Sequence, residues 1–163
     1  MTVELIIRYV KVLVVFVLLW VGIWFYNNWG CRKIEGSEMT PALPADSYKL
    51  IRPKVRTVAE LGYDDLVSYT YVQGGKSQRN VAARVIGLPG DRVRIEKGEV
   101  FRNGSKISSA YVAANQRQSD DYAEVAIPRD TAFLLCDNRR GFALYDSRAV
   151  GPIGQWAISG RFK

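Results

Sequence analysis

Histidine is absent from the 163 residues and cysteine occurs only twice. Without histidine, no Ser-His-Asp or Cys-His arrangement can be assembled. Cys31 and Cys136 form no C-x-x-C pair, so the chain also lacks a zinc-ligand pattern, and neither a metal nor a cofactor is expected. Two cysteines permit one Cys31–Cys136 bridge or two separate thiols. Spacing does not choose between them, because a bridge needs Cα atoms within ~7 Å. Acid is scarce too: 16 Asp/Glu stand against 23 Lys/Arg, a formal net charge of +7. The cations are dispersed, with no basic run and no nucleic-acid-binding motif, so nucleic acid is not an expected partner. A basic domain held at a bilayer is instead drawn to anionic membrane lipid or an acidic partner.

What the chain has in plenty is an apolar run at its start. Leu5 to Tyr26 is almost wholly apolar, and its 22 residues at ~1.5 Å each reach about 33 Å, enough for a ~30 Å hydrocarbon core. Arg8 and Lys11 interrupt only its first turns, where long cationic side chains reach back to headgroups. Their position predicts a cytoplasmic N-terminus and a C-terminal domain on the periplasmic or extracellular side. Trp20, Trp24, Tyr26 and Trp29 gather at the far end, as an interfacial belt or as contacts to a partner helix. No small-residue cleavage pattern follows, which favours an uncleaved single-pass anchor over a removed signal. The expected organisation is an anchor over residues 1–30, with its helix at about 5–26, and one domain over residues 31–163.

Beyond the anchor, short β-type runs recur at Tyr48 to Ile51, Leu66 to Val72, Asn80 to Ile86, Arg92 to Ile95, Glu99 to Phe101, Glu124 to Ile127 and Thr131 to Leu135. Gly, Pro, Asn and Asp punctuate them, as in Leu88-Pro89-Gly90-Asp91, a rigid turn by composition. Lys97-Gly98 signals a hairpin, and Asn103-Gly104 closes a second turn. Ser108 to Asp121 reads as an exposed polar loop, and Thr57 to Leu61 as one helical turn. The fold class is mainly β.

Four ordered blocks carry a resemblance. They are Gly36-Ser37-Glu38-Met39-Thr40-Pro41-Ala42-Leu43; Asp64-Asp65-Leu66-Val67; Ala83-Arg84-Val85-Ile86-Gly87-Leu88-Pro89-Gly90-Asp91; and Cys136-Asp137-Asn138-Arg139 with Asp146-Ser147-Arg148. Together with the anchor and the Asn103-Gly104 hairpin they resemble type I signal peptidases, the serine/lysine-dyad leader peptidases, over essentially the whole chain. The resemblance implies a β-rich domain resting on the lipid surface and binding an extended peptide beside a strand edge. It also implies that Asp146, Ser147 and Arg148 support the site rather than attack. The departures fall on the chemistry. Aligning Met39, Pro41 and Leu43 puts Glu38 at the nucleophile position, and Ala83 stands at the lysine. Asp64 and Cys136 replace glycines, and two extra residues separate the halves of the last block.

The family's serine attacks a carbonyl while a neutral lysine takes its proton. Glu38 has no neighbouring base to activate water, and Ala83 has nothing to titrate. Arg84 stays protonated and faces away from Ala83 on a strand. Ser37 with Lys76 is the fallback dyad, but a loop lysine is ordinarily solvated. The leading expectation is a catalytically inactive homologue acting as an accessory subunit among other membrane-protein subunits. The alternatives are a module that holds an extended peptide by strand addition without cutting it, and an active serine endopeptidase that processes signal peptides.

Overall fold

The computed structural model describes residues 3–53, 55–73, 77–113, 115 and 117–163. It divides into two compact units, Met1–Gly30 and Cys31–Lys163. The first is helix α1 (Val3–Asn28). Its stretch Val3–Asn27 has a mean hydropathy of 2.3, long and apolar enough to cross a membrane. Apolar side chains surround the helix on every face and are exposed, the pattern of a helix whose solvent is lipid.

The second unit consists of two antiparallel sheets. The larger contains β1 (Gly30–Lys33), β2 (Tyr48–Pro53), β3 (Leu66–Gln73), β4 (Ser77–Gly87), β9 (Thr131–Leu135), β10 (Ile153–Gly154) and β11 (Ile158–Phe162), in the order β1-β2-β11-β3-β4-β9-β10. The smaller contains β5 (Arg92–Glu96), β6 (Glu99–Arg102), β7 (Ser105–Lys106) and β8 (Tyr122–Ala126), in the order β7-β6-β5-β8. A short helix, α2 (Ser147–Val150), precedes β10.

Strand alternation explains how the sheets share a core. Ala132, Leu134 and Cys136 enter one apolar cluster, with Tyr69, Val81, Ala83 and Val85, while Phe133 and Leu135 enter another with Val93, Ile95 and Val100 of the small sheet. The run around β9 is therefore buried on both faces, which is why it reads as continuous apolar sequence rather than alternation. Strand β4 pairs with β3 from Leu66↔Arg84 to Gln73↔Ser77 and with β9 at its far end. Where β4 leaves the sheet, a Cβ on Gly87 would strike Ile127 and come within 2.8 Å of a Val93 methyl. The glycine is needed for this close approach of chain to core.

The turns follow their composition. Lys97 and Gly98 have φ of 50° and 78°, and Asn103 and Gly104 have 53° and 80°, paired positive values that tight hairpins require. Val58–Glu60 forms a single 3₁₀ turn, with the Thr57 hydroxyl accepting from the Ala59 N–H. Among its described residues, the segment from Ser108 to Asp121 is a loop with many exposed side chains, as expected, but it is anchored at two points. Val112 is buried, and the Tyr111 ring lies under the Arg84 guanidinium, 4.0 Å from its carbon. Its apolar residues, outnumbered in sequence, tie it down.

Candidate functional site

The loop after β1 carries Glu38 into the interior at 1 % exposure. One carboxylate oxygen accepts from the Ala82 N–H at 3.3 Å, and the other lies 3.5 Å from Arg79 Nη2. Gly36 makes room for this arrangement, since a Cβ there would collide with the Glu38 carboxylate and Arg79. The loop is also tied from the other side. The Asn138 N–H donates to the Glu38 carbonyl at 2.9 Å, and Asn138 Nδ2 donates to the Ser37 carbonyl at 3.3 Å. Met39 is fully buried beside Ile34, Leu43 and Ala82, and its sulfur accepts from the Asp137 N–H. Pro41, exposed, follows a cis Thr40–Pro41 peptide.

Ala83 is fully buried, in the cluster that holds Tyr69, Val81 and Cys136. Its neighbour Arg84 leaves that cluster and grips Asp137 with Nε at 2.9 Å and Nη2 at 2.5 Å, while Nη1 donates to the Asp64 carbonyl. Burial opposes the charge on Arg84, but the two bonds to Asp137 and its negative charge outweigh it and raise the guanidinium's pKa. Arg84 is therefore a fixed cation and no proton acceptor. Asp64, at a glycine position of the resembling pattern, keeps the glycine-like conformation, with φ of 65°.

Asp146 accepts from the Cys136 N–H at 3.1 Å and from the Arg148 N–H at 3.0 Å, and it takes the Arg148 guanidinium through both oxygens. Ser147 Oγ accepts from the Leu134 N–H at 2.9 Å. Arg148 also reaches Asp120 at 2.8 Å and the Arg139 carbonyl at 3.2 Å. Burial disfavours its charge, but Asp146 and Asp120 more than offset this and raise its pKa. All three residues are occupied in holding β9 to α2.

In the Leu88-Pro89-Gly90-Asp91 turn, Gly90 has φ of 91° and Asp91 gathers the Leu88 N–H, Asn103 Nδ2 and the Tyr63 hydroxyl. Burial pushes the Asp91 pKa up, yet these hydrogen bonds and Arg102 prevail and hold it below the usual carboxylate value. A depressed folded pKa contributes stability above the unfolded value that is lost as pH falls through the folded one. Asp91→Asn should therefore lower stability by about 1 kcal/mol at neutral pH and flatten the acid limb of the stability curve. Urea midpoints measured from neutral pH downward test this, and parallel curves for the two proteins would refute it.

Ser37 is half-buried, and among the described residues its hydroxyl makes no hydrogen bond to a base. Lys76, its fallback partner, lies outside the described residues. Both cysteines are free thiols, Cys31 exposed and Cys136 buried, so the bridge left open by the sequence is not formed. Burial, reinforced by the charges of Asp146 and Glu38, pushes the Cys136 thiol's pKa well up, which leaves it a poor nucleophile.

Sequence reasoning missed Arg79. On β4 it stands at the same parity as Val81 and Ala83. A cation at this spacing from a lost lysine is the only signal that could have drawn attention to it. Its guanidinium carbon lies 4.9 Å from the Tyr145 ring centre, and Tyr145 packs edge-on to Tyr71. Tyr69 was missed as well. It is buried with an unpartnered hydroxyl, and burial first, then the charges of Cys136 and Asp146, raises its pKa. The assembled group of Glu38, Arg79, Ala83 and Tyr69 contains a paired carboxylate, a cation, a methyl and a protonated phenol. Among these there is no activated nucleophile and no neutral amine.

Comparison with known proteins gives concordant matches. Residues 6–163 match the family described as signal peptidase, peptidase S26. Signal peptidase I S of Bacillus subtilis is 30% identical over 140 residues, covering 80% of this chain and 72% of that protein. The probable signal peptidase I-2 of Synechocystis is 30% identical over 154 residues, covering 93% of this chain and 68% of the relative. The crystal structure of a signal peptidase I from Enterococcus faecalis shares the fold, with a TM-score of 0.50 and 24% identity, over 63% of this chain and 97% of that one.

Proposed function

The chain belongs to the signal peptidase family, peptidase S26, and from that premise we propose that it is a non-catalytic member, a membrane-anchored accessory or structural subunit of a membrane complex. One observation carries the reading. The nucleophile position holds a buried Glu38 bonded to the Ala82 N–H and paired with Arg79, while the base position is a methyl sealed in the core. Helix α1, whose large apolar side chains are exposed along its length, offers a surface for packing on other subunits. The N-terminus lies in the cytoplasm and the β domain on the opposite side, where its charge favours anionic lipid.

The names of the relatives favour a second reading, an active peptidase, with Ser37 as its nucleophile. A cleavage assay separates the two. Full-length protein in mild detergent is expected to leave a preprotein uncut relative to a no-enzyme control, with Ser37→Ala indistinguishable from the unaltered chain. Cleavage that Ser37→Ala abolishes would overturn the proposal. Purification from native membranes with mass-spectrometric stoichiometry is expected to recover membrane-protein partners in fixed ratio. Recovery of the chain alone, with saturable binding of a signal-type peptide, would mark a peptide-holding module instead.

A further inference from the structure

Strand β4 outruns one of its two neighbours. It spans Ser77–Gly87 and pairs with β3 from Leu66↔Arg84 to Gln73↔Ser77, but β9 pairs with it only between Arg84 and Gly87. Among the described residues, Ser77 to Ala83 therefore have a strand on one side and none on the other. Hydrogen-bond parity says which groups face the gap. Val85 is bonded toward β3, donating to the Asp65 carbonyl and accepting from the Asp64 N–H, each at 2.9 Å. Alternate residues of an antiparallel strand point their polar groups the opposite way. Asn80 and Ala82 thus turn their N–H and C=O groups to the open side, and Asn80 is exposed. An unpaired edge of this kind is a template for an added extended segment.

At the inner end of that edge the chain supplies an occupant of its own. The Ala82 N–H is taken by Glu38 Oε1 at 3.3 Å, and the other carboxylate oxygen lies 3.5 Å from Arg79 Nη2, on the same strand. A strand docking on the edge would offer a carbonyl oxygen to this N–H, and the carboxylate oxygen stands in its place. The loop that carries Glu38 is shaped around the contact. A Cβ on Gly36 would collide with the Glu38 carboxylate and Arg79, and Asn138 fastens the Ser37 and Glu38 carbonyls from the far side. At 1 % exposure Glu38 is covered by the structure it closes. Displacing it forfeits the N–H bond and the cation together, a costly loss for a buried carboxylate.

We infer that Glu38, held by Arg79, is an autoinhibitory plug that occupies the open β4 edge at Ala82 and keeps extended peptides from adding to it as a strand. The residue does more than fail to attack: it denies the edge to the segment that would lie there. The inference rests on β4 and Glu38 and not on the accessory-subunit reading, so either can fail without the other.

Fluorescence anisotropy of the full-length protein in mild detergent, with a short labelled peptide of alternating valine and threonine, tests the inference. A copy N-methylated at each central amide, unable to pair along either edge, reports adsorption through side chains or micelles. The unaltered chain is expected to bind both forms equally and weakly. Glu38→Ala should bind the unmethylated peptide about tenfold more tightly or better, because a charge-assisted hydrogen bond no longer competes for the Ala82 N–H. Glu38→Gln keeps an acceptor for that N–H and should gain less. Adding Asn80→Pro to Glu38→Ala removes an outward N–H at a position where an edge strand accepts proline, and should abolish the gain. Glu38→Ser, which also withdraws the carboxylate, is measured beside the alanine variant, with circular dichroism to establish folding. Equal binding by the unaltered chain and the folded variants, or a gain that survives N-methylation or Asn80→Pro, overturns the inference. Failure of both the alanine and serine variants to fold overturns it too, since the carboxylate would then be a structural tie.

Discussion

Asp137→Ala is expected to cost about 3–5 kcal/mol, the usual penalty for stripping a buried ion pair of one partner. Asp137 is fully buried and Arg84 nearly so, and the two share bonds of 2.9 and 2.5 Å. Their contact crosses from β4 to the second residue past the end of β9, and the Asp137 N–H is itself bonded to the Met39 sulfur. Among the described residues, removing the carboxylate leaves the guanidinium with the Asp64 carbonyl and the Tyr111 ring face. Against a total stability of about 5–15 kcal/mol for a domain, that loss is enough to threaten folding. Arg84→Met in the same chain should recover most of it, because a well-packed apolar pair can match a buried ion pair. Urea unfolding of the four proteins of the cycle, followed by near-ultraviolet circular dichroism, reads the coupling directly. Strictly additive single effects would show that the pair is not a unit and that Arg84 matters through packing alone.

The strands most legible in the sequence are those whose chemistry is local. The β5–β6 hairpin was announced by Lys97-Gly98, and β9 by an uninterrupted apolar run, and both stand where expected. Four strands gave no such signal. β1, β7 and β10 are two to four residues long, too short for alternation to register. β11 lies in mid-sheet between β2 and β3, but Gly160 interrupts it. That glycine is required because a Cβ would come within 2.7 Å of the Arg52 carbonyl, and a contact between residues so distant in sequence leaves no local trace. The site divides the same way. The departures at Glu38 and Ala83 are visible by alignment to the ordered blocks of the resembling family, whereas the partnership of Glu38 with Arg79 arises from strand geometry across 41 residues. The Ser108–Asp121 segment is a loop with many exposed residues, as its polar composition predicts, but Val112 is buried and Tyr111 partly so, because polar composition predicts full exposure only when nothing beneath needs covering. Here Arg84 and the β5–β6 hairpin do.

The second large effect is expected at Arg79. Arg79→Ala should destabilise the protein by about 2 kcal/mol, less than the Asp137 case, because Arg79 is about a third exposed and its 3.5 Å contact to Glu38 is loose. Two losses contribute: the compensation of a carboxylate at 1 % exposure, and the stacking on Tyr145. Glu38→Gln separates them. An amide keeps an acceptor for the Ala82 N–H but carries no charge, so in the Arg79→Ala background it should restore most of the stability, leaving only the lost stacking. If Glu38→Gln rescues nothing, Arg79 acts through Tyr145 and the carboxylate is compensated by the Ala82 N–H alone. Activity adds an independent reading. Freed of Arg79, Glu38 still has no base beside it among the described residues, since Ala83 is a methyl and Arg84 is committed to Asp137. The Arg79→Ala protein should therefore lose stability and gain no cleavage of a preprotein. A variant that began to cut would show that the salt bridge had been masking competent chemistry, and that the lysine position is not where the proton goes.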